Sequence, residues 1–212
     1  MLQIIYLDTI HSTQKYLKEK ITTNELQAPV AVSADLQTDG IGSRENKWIS
    51  EEGNLFFSFA VKKSFLPEDL KLESASIYFS YILKETLQEL GSDVWIKWPN
   101  DFYLADKKIG GTITNLVQDI VICGIGLNSS SAPEAHASLD VAVEKKKLLE
   151  NYFKNIEKKV LWKQVFSKYK LEFYKNQNFY THINKNKVSL RGAKLSSDGS
   201  LEINGERIYG LR

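Results

Sequence analysis

The sequence predicts an α+β protein with a mixed or antiparallel sheet, helices on the sheet faces and a small β region at the C-terminal end. Three observations support this fold class. A strand and a hairpin follow each other between residues 94 and 116, a helix precedes them at 74–90, and short strands begin at about residue 184. A hairpin pairs its strands in antiparallel fashion, and a helix with an apolar face has to cover a sheet or another helix.

Composition limits the classes of protein to which this chain can belong. Its 212 residues suffice for one medium-sized domain with a small appendage, and 42% hydrophobic residues are enough for a core. A net charge of +2 gives no general case for nucleic-acid binding. The single cysteine, Cys123, lies in an apolar run, so we expect a buried hydrophobe in a reducing cytoplasm. No apolar run reaches the roughly 20 residues of a membrane span, so we expect no membrane partner.

The first elements are a strand at residues 3–7 and a helix that follows an exit loop at 8–13. Ser12 or Thr13 is a suitable cap for this helix, because a hydroxyl oxygen can accept a free backbone N–H of the first turn. Leu17 and Ile21 are four residues apart among charged neighbours, as on an amphipathic helix.

A glycine-containing loop follows the alternating strand at 29–34 and runs from Gln37 to Trp48. Two glycines among polar and basic residues can surround an anion with backbone N–H groups. The loop matches neither a Rossmann fingerprint, since no convincing helix follows, nor a Walker loop, since Gly-Lys-Ser/Thr is absent. This pattern therefore indicates an anion site of another kind.

The centre of the chain predicts a buried strand at 55–61, the helix at 74–90 with Gly91 as its C-terminal stop, and a strand at 94–98. Pro99 cannot donate to a ladder, so the strand ends there, and the hairpin 101–116 follows with its tip at 105–107. This arrangement sets Asp101 and Lys108 on adjacent strands. A buried strand at 119–128 comes next.

The C-terminal third predicts a polar loop at 129–137 and helices at 144–156 and 161–174. Short strands follow, with a turn at 197–199 and Asn204-Gly205 as a two-residue hairpin signal. No residue in this last region indicates chemistry of its own.

Four motifs in order resemble those of biotin protein ligases, the biotin–[acetyl-CoA-carboxylase] ligases. They are Ser12-Thr13-Gln14, the glycine segment 37–48, Lys97-Trp98-Pro99-Asn100-Asp101 followed by Lys108-Ile109-Gly110-Gly111, and Gly124-Ile125-Gly126-Leu127-Asn128. The resemblance implies a class II synthetase-like catalytic domain over residues 1–178 and a small SH3-like β-barrel over 179–212. It also implies a two-step reaction in which biotin and ATP form biotinyl-5′-AMP and the biotin is then transferred to a lysine of the biotin carboxyl carrier protein of acetyl-CoA carboxylase.

The resemblance also implies roles for individual residues. Lys108 and Asp101 would be catalytic, Lys108 by bridging the biotin carboxylate and the α-phosphate, and Asp101, with Asn100, by holding Mg²⁺. The biotin site would consist of Ser12, Thr13, Gln37, Gly40, Ile41, Lys108, Gly111 and Ile113. The ATP site would consist of Ser43, Arg44, Asn46, Trp48, Asn100, Lys108 and Asn128.

The glycine segment departs most from the family pattern. Ile41 and Ser43 replace two arginines, Glu45 replaces the third glycine, and Asn46 stands where the last arginine is usual. Fewer guanidinium groups give fewer fixed contacts to phosphate and carboxylate, so we expect a looser hold on the adenylate. Two alternatives stay open: a lipoate–protein ligase or octanoyltransferase, and a non-catalytic biotin- or adenylate-binding sensor.

The larger members of the resembled family carry a helix-turn-helix domain at the N-terminus that represses biotin operons. This sequence opens directly with the first catalytic strand, so we expect no DNA partner. The fold is compatible with sheet-edge homodimers, although no residue decides the oligomeric state.

Overall fold

The structure, a computed structural model, describes residues 2–42, 47–183 and 186–210. Nine strands and two helices form its first part. In chain order these are β1 (Gln3–Ile10), α1 (Thr13–Thr22), β2 (Val30–Gln37), β3 (Gly40–Ile41), β4 (Lys47–Trp48), β5 (Leu55–Lys62), α2 (Ala75–Gln88), β6 (Trp95–Lys97), β7 (Asp101–Leu104), β8 (Lys107–Val117) and β9 (Ile120–Leu127).

Seven of these strands form one mixed sheet in the order β1-β2-β5-β9-β8-β7-β6. Only β1 and β2 pair in parallel within it, and all other neighbours are antiparallel. β3 and β4 form a separate short hairpin beside it. The predicted sheet class is therefore confirmed, and the parallel pair follows because α1 crosses from β1 to β2.

Two predictions for the first strands are wrong. Asp8, Thr9 and Ile10 do not belong to an exit loop but continue β1, because its pairing with β2 extends to Ile10 opposite Gln37. β2 is buried on both faces from Val30 to Ala34 rather than alternating. Helix α1 covers one of these faces. The length of β1 and the two-sided burial of β2 both depend on residues distant in sequence.

The hairpin of β7 and β8 contains the irregularity that matters most for function. Asp101 pairs with Gly111 and Phe102 with Gly110, but Tyr103 pairs with Lys108, so Ile109 is an extra residue in β8. Such a β-bulge reverses the alternation of side chains on the strand that carries it. Lys108 consequently shares a sheet face with Gly111, whereas Lys107 is exposed.

Helices cover both faces of the sheet, as predicted. Leu17 and Ile21 of α1 are buried against one face. On the other face α2 packs with α3 (Lys145–Glu157) and α4 (Trp162–Glu172), and together they enclose the larger core. Aromatic rings dominate this core, including an edge-to-face contact between Phe59 and Phe79 with ring centroids 4.9 Å apart.

One buried ion pair joins two of these helices. Lys84 of α2 is 1% exposed, and its Nζ lies 2.5 Å from Glu172 of α4 and 3.3 Å from Glu85. Burying an ammonium group is costly unless it is paired, so these two carboxylates are what make its position tolerable.

The C-terminal strands form two small sheets. β10 (Tyr180–Ile183) pairs with β11 (Asn186–Ser189), and β12 (Lys194–Leu195), β13 (Leu201–Ile203) and β14 (Glu206–Ile208) form the second sheet. The Asn204-Gly205 turn joins β13 to β14 with positive φ at both residues, as its sequence predicts. The closed barrel and the domain boundary near residue 178 stay predictions.

The second small sheet is attached directly to the turn after β6. The indole Nε1 of Trp98 donates to the carbonyl of Gly199 at 2.9 Å. Gly210 lies against Pro99, where an added Cβ would be 2.6 Å from the proline ring. Among the residues described, no helix combines the length and apolarity that a membrane crossing requires.

Candidate active site

A cleft with about 480 Å³ of space, part of it open to solvent, lies on the face of the sheet that α1 covers. Its walls come from the start of α1, the end of β2, the β3–β4 hairpin and the strands β5, β7, β8 and β9. The lining residues are Ser12, Thr13, Gln14, Gln37, Ile41, Gly42, Trp48, Ser58, Asn100, Asp101, Lys108, Gly111, Thr112, Ile113, Gly124, Ile125 and Gly126.

Two glycines of β9 form part of the floor of the cleft. A Cβ at Gly124 would be 2.5 Å from Oε1 of Gln14, and a Cβ at Gly126 would be 2.7 Å from the indole of Trp48. Distances this short are not tolerated between real atoms, so both positions require glycine for as long as these side chains lie flat on the sheet. The glycines thus bring Gln14 and Trp48 into the cleft walls.

The N-terminus of α1 supplies hydrogen-bonding groups at one end of the cleft. Ser12 caps the helix, its Oγ accepting from Lys15 N at 3.4 Å. The side-chain Oε1 of Gln37 accepts from the N and Oγ1 of Thr13 at 2.9 and 3.1 Å, and Thr13 Oγ1 also lies 2.9 Å from Ser58 Oγ. These buried groups hold one another in fixed positions before any ligand arrives.

A carboxylate between two lysines lies at the other end. Asp101 Oδ1 accepts from Lys108 Nζ at 2.6 Å, and its Oδ2 accepts from Lys97 Nζ at 3.4 Å. All three side chains are largely buried, with 15%, 28% and 11% exposure in the order Asp101, Lys108, Lys97. The expected pair therefore shares one cleft, and Lys97 is an additional cation that the sequence analysis did not select.

Asn100 contributes an unpaired oxygen to the same end. Its Nδ2 donates to the carbonyl of Thr112, while its Oδ1 is buried without a partner. An unpaired buried acceptor is costly and usually marks a site for a water, an ion or a ligand. The carboxylate of Asp101 next to it is an oxygen ligand of the type that magnesium prefers.

The oxygens of Asp101 and Asn100 suit a magnesium ion whose other ligands come from outside the protein. No cluster of three or more metal-ligating acidic, histidine or cysteine side chains occurs in ranges 2–42, 47–183 and 186–210. A dedicated protein cage for a metal is therefore not present in that part of the chain. One carboxylate and one amide oxygen suit an ion that takes its remaining ligands from phosphates and water.

A second pocket lies on the far side of Trp48, with about 340 Å³ of space that is partly open to solvent. Its walls are Lys47, Trp48, Ile49, Asn128, Pro133 and His136. Asn128 is held there by its Nδ2, which donates to the carbonyl of Ala137 at 3.3 Å, and by its backbone N–H, which donates to Ile109 at 2.7 Å. Trp48 thus forms the wall between the two cavities.

Burial and charge shift two titratable groups near the cleft. Burial, and to a smaller extent the Asp101 carboxylate, raise the pKa of Tyr103 to about 12, so this phenol stays neutral. Burial and the Lys108 ammonium lower the pKa of His136, and Asp101 opposes them only in part. At neutral pH His136 is therefore an uncharged imidazole.

The structure brings together most of the residues that the sequence analysis selected. Ser12, Thr13, Gln37, Ile41, Gly111, Ile113, Asn100, Asp101 and Lys108 line the cleft, Trp48 lines both cavities, and Asn128 lines the second one. Gly40 lies beside them, where an added Cβ would be 2.8 Å from the carbonyl of Trp48. Ser43, Arg44 and Asn46 lie outside the described residues, as does Glu45.

Several lining residues were not selected from the sequence. They are Gln14, Gly42, Ser58, Thr112, Gly124, Ile125 and Gly126 in the cleft and His136 in the second pocket. The spacing of Gly124 and Gly126 was a signal for two of them, because alternate glycines in a buried strand indicate close approach on one face. Ser58 and His136 had no such local signal.

Comparison with known proteins agrees with this geometry. Residues 6–128 match the Biotin/lipoate A/B protein ligase family. A biotin acetyl coenzyme A carboxylase synthetase from Helicobacter pylori, solved with bound biotinylated ATP, superimposes with a TM-score of 0.95 at 40% identity, over 99% of this chain and 100% of that one. A biotin protein ligase from Aquifex aeolicus, solved with biotin and ATP, gives 0.79 at 25% identity over 100% and 97%.

Sequence relatives extend this result to longer proteins. The bifunctional ligase/repressor BirA of Escherichia coli strain K12 is 33% identical over 132 residues, which are 59% of this chain and 40% of that protein. The match thus covers less than half of this curated relative. Because the family match includes more than half of the chain and all four motifs lie within it, the chain belongs to the biotin/lipoate A/B protein ligase family.

Proposed function

We propose that this chain is a biotin protein ligase, which activates biotin with ATP to biotinyl-5′-AMP and then transfers biotin to a lysine of the biotin carboxyl carrier protein of acetyl-CoA carboxylase. The observation that carries the proposal is the Lys108–Asp101 pair, 2.6 Å apart, at one end of a cleft that has neutral hydrogen-bonding groups at its other end. Biotin has a matching polarity, with a carboxylate on its chain and an uncharged ureido group on its rings.

The ureido group binds between the start of α1 and the end of β2. Ser12, Thr13 and Gln37 offer hydroxyl and amide groups that can both donate and accept, which a ureido carbonyl flanked by two N–H groups requires. Ile41, Ile113 and Gly111 cover the apolar rings and leave room beside the sheet. The hydrogen bonds between Thr13 and Gln37 hold these groups in place before biotin binds, so less conformational entropy is lost on binding.

ATP binds with its base in the second pocket and its phosphates near Asp101. Trp48 covers the adenine and Asn128 reads its edge, while Asn100 and Lys108 lie toward the phosphates. Ser43, Arg44 and Asn46 complete this site as members of the glycine segment. A magnesium ion held by Asp101 and the free Oδ1 of Asn100 supplies charge neutralisation to the phosphates when it is bound.

In the first step an oxygen of the biotin carboxylate attacks the α-phosphorus of ATP and pyrophosphate leaves. Two anions have to approach each other, and Lys108 Nζ stabilises the charge that develops between them. Asp101 holds this ammonium group through a short hydrogen bond, and the bulge at Ile109 turns Lys108 toward the cleft. The adenylate is a mixed anhydride, so the walls formed by Trp48 and the glycine segment also keep water away.

In the second step the amine of the carrier lysine attacks the acyl carbon, an amide bond forms, and AMP leaves with its electron pair on the phosphate oxygen. One proton is released from the amine to solvent. Asp101 can also orient the incoming lysine, because a carboxylate can accept more N–H donors than the two that Lys97 and Lys108 supply. ATP and the carrier are cytoplasmic substrates, so we propose the cytoplasm as the place of action.

Isotope exchange between ATP and pyrophosphate tests the first step. The proposal predicts exchange that depends on biotin and that lipoate or octanoate does not support. Transfer of labelled biotin to a purified carrier domain tests the second step. Exchange with lipoate alone would favour the lipoate branch of the family, and biotin binding without exchange would identify a sensor, so either result would overturn the proposal.

A further inference from the structure

One wall of the second pocket comes from the loop after β9, whose position depends on a backbone bond to β8. The backbone N–H of Ala137 donates to the carbonyl of Lys108 at 3.0 Å, and that of Leu139 donates to Asn128 at 2.7 Å. A third bond, from His136 N to the carbonyl of Pro133 at 2.8 Å, forms a tight turn. These bonds bring the imidazole of His136 into the pocket opposite the β3–β4 hairpin.

Two residues of this pocket each have a buried polar atom without a partner. They are Trp48, with its indole Nε1, and His136, with its imidazole Nδ1. The Trp48 Nε1 packs on Gly126, which lines the first cleft. The His136 Nδ1 is therefore the atom that a molecule bound in the second pocket can pair with.

The charge state of His136 determines whether its ring nitrogens donate or accept hydrogen bonds. Lys108 and Asp101 act on it from β8 and β7, and Lys47 lines the pocket from β4. A neutral imidazole carries one proton, and in the tautomer with that proton on Nε2 the Nδ1 atom is an acceptor.

We infer that His136 binds the exocyclic amino group of adenine through Nδ1 and so selects ATP against purine nucleotides without that group. The inference rests on the proposed function, since it concerns the nucleotide of the same reaction. Adenine presents this amino group as a donor at its edge, where the acceptor of His136 can reach it while Trp48 covers the face of the base. Guanine has a carbonyl in place of the amino group, so two acceptors would face each other. Since Nδ1 is covered, the ring has to turn slightly when the base enters.

Equilibrium binding of two nucleotides to two proteins tests the inference. The wild-type chain and His136→Phe are titrated with ATP and with purine riboside triphosphate, which lacks only the amino group. Phenylalanine keeps a flat ring in the wall but cannot accept. We expect the wild type to prefer ATP by about tenfold, the effect of one buried hydrogen bond, and the variant to bind both nucleotides within about twofold.

His182→Phe is the matched control, because His182 is an exposed histidine of β10 outside both cavities. It should keep the wild-type preference, and thermal melting of all three proteins shows whether they are folded. An equal preference for ATP in the wild type and His136→Phe overturns the inference, and so does a wild type without any preference. Because binding is measured directly, either result is distinct from a failure of biotin-dependent exchange, which would instead refute the proposed function.

Discussion

Replacement of Lys108 by alanine is the most direct perturbation of the proposed chemistry. Lys108 Nζ is 2.6 Å from Asp101 and lines the cleft, so alanine removes the cation that the two reacting anions would share. The backbone should not be disturbed, because the side chain is partly exposed and no apolar packing depends on its ammonium group.

The size of the effect follows from distance and exposure. A unit charge 4 Å from another at the effective dielectric constant of a protein surface contributes about 4 kcal/mol. Lys108 is 28% exposed, so water weakens this interaction, and Lys97 on the other oxygen of Asp101 retains part of the positive charge. We therefore expect about 3 kcal/mol, or a loss of roughly two orders of magnitude in the rate of adenylate formation.

Single-turnover formation of biotinyl-5′-AMP at saturating biotin and ATP measures this step without contributions from product release. Lys107→Ala is the matched control, since Lys107 is the adjacent lysine and is exposed on the other face of β8. It should change the rate by less than about twofold, as surface charges usually do. A Lys108→Ala rate equal to that of the wild type would remove Lys108 from the mechanism.

Three other predictions concern packing and stability. Gly126→Ala should raise the KM for ATP about tenfold in steady-state assays, because its Cβ would be 2.7 Å from the Trp48 indole, and an unchanged KM would show that the indole does not cover the base. Burial raises the pKa of Asp198, but hydrogen bonds from Ser200 and Arg207 outweigh it and lower this pKa to about 2. The resulting stability, about 1–2 kcal/mol, is present above pH 4 and lost as pH falls toward 2, so urea titrations across this range should show a smaller loss for Asp198→Asn than for the wild type. Glu172→Gln should lower the free energy of unfolding by about 2 kcal/mol in urea titration, because Lys84 keeps only Glu85 as a partner, and equal stability would contradict the buried pair.

The sequence predicted those features that depend on residues a few positions apart in the chain. Ser12 caps α1, Leu17 and Ile21 face the core, and the Asn204-Gly205 turn joins two strands. Each of these features depends on a spacing of a few residues, which the sequence displays directly. The hairpin that carries Asp101 and Lys108 was also predicted from such a local pattern.

Features that depend on pairing between distant strands were not accessible in this way. The extension of β1 to Ile10 needs Gln37 as its partner, and the burial of β2 on both faces needs α1 and the opposite core. A regular strand would have turned Lys107, not Lys108, toward Gly111, and only the extra residue Ile109 decides between them. The sequence analysis placed Lys108 on the returning strand opposite Asp101, but the bulge that turns Lys108 into the cleft was not visible there.

The walls of the cleft show the same limit. Gln14 follows two residues that the family pattern identifies, but its burial against Gly124 is visible only when α1 lies on β9. His136 lies in a polar loop without periodic structure, and its place in the nucleotide pocket depends on the bond from Ala137 to Lys108.

The bond from Trp98 to Gly199 has a consequence for how this protein can change over evolutionary time. It joins the last strands to the turn that presents Asn100 and Asp101, and because its acceptor is a backbone carbonyl, it constrains the path of the chain at Gly199. The segments are 101 residues apart, yet a shift in the chain path of one has to be matched by the other. A chimera that takes its final strands from a relative should regain full turnover only if both sides of this contact are inherited together.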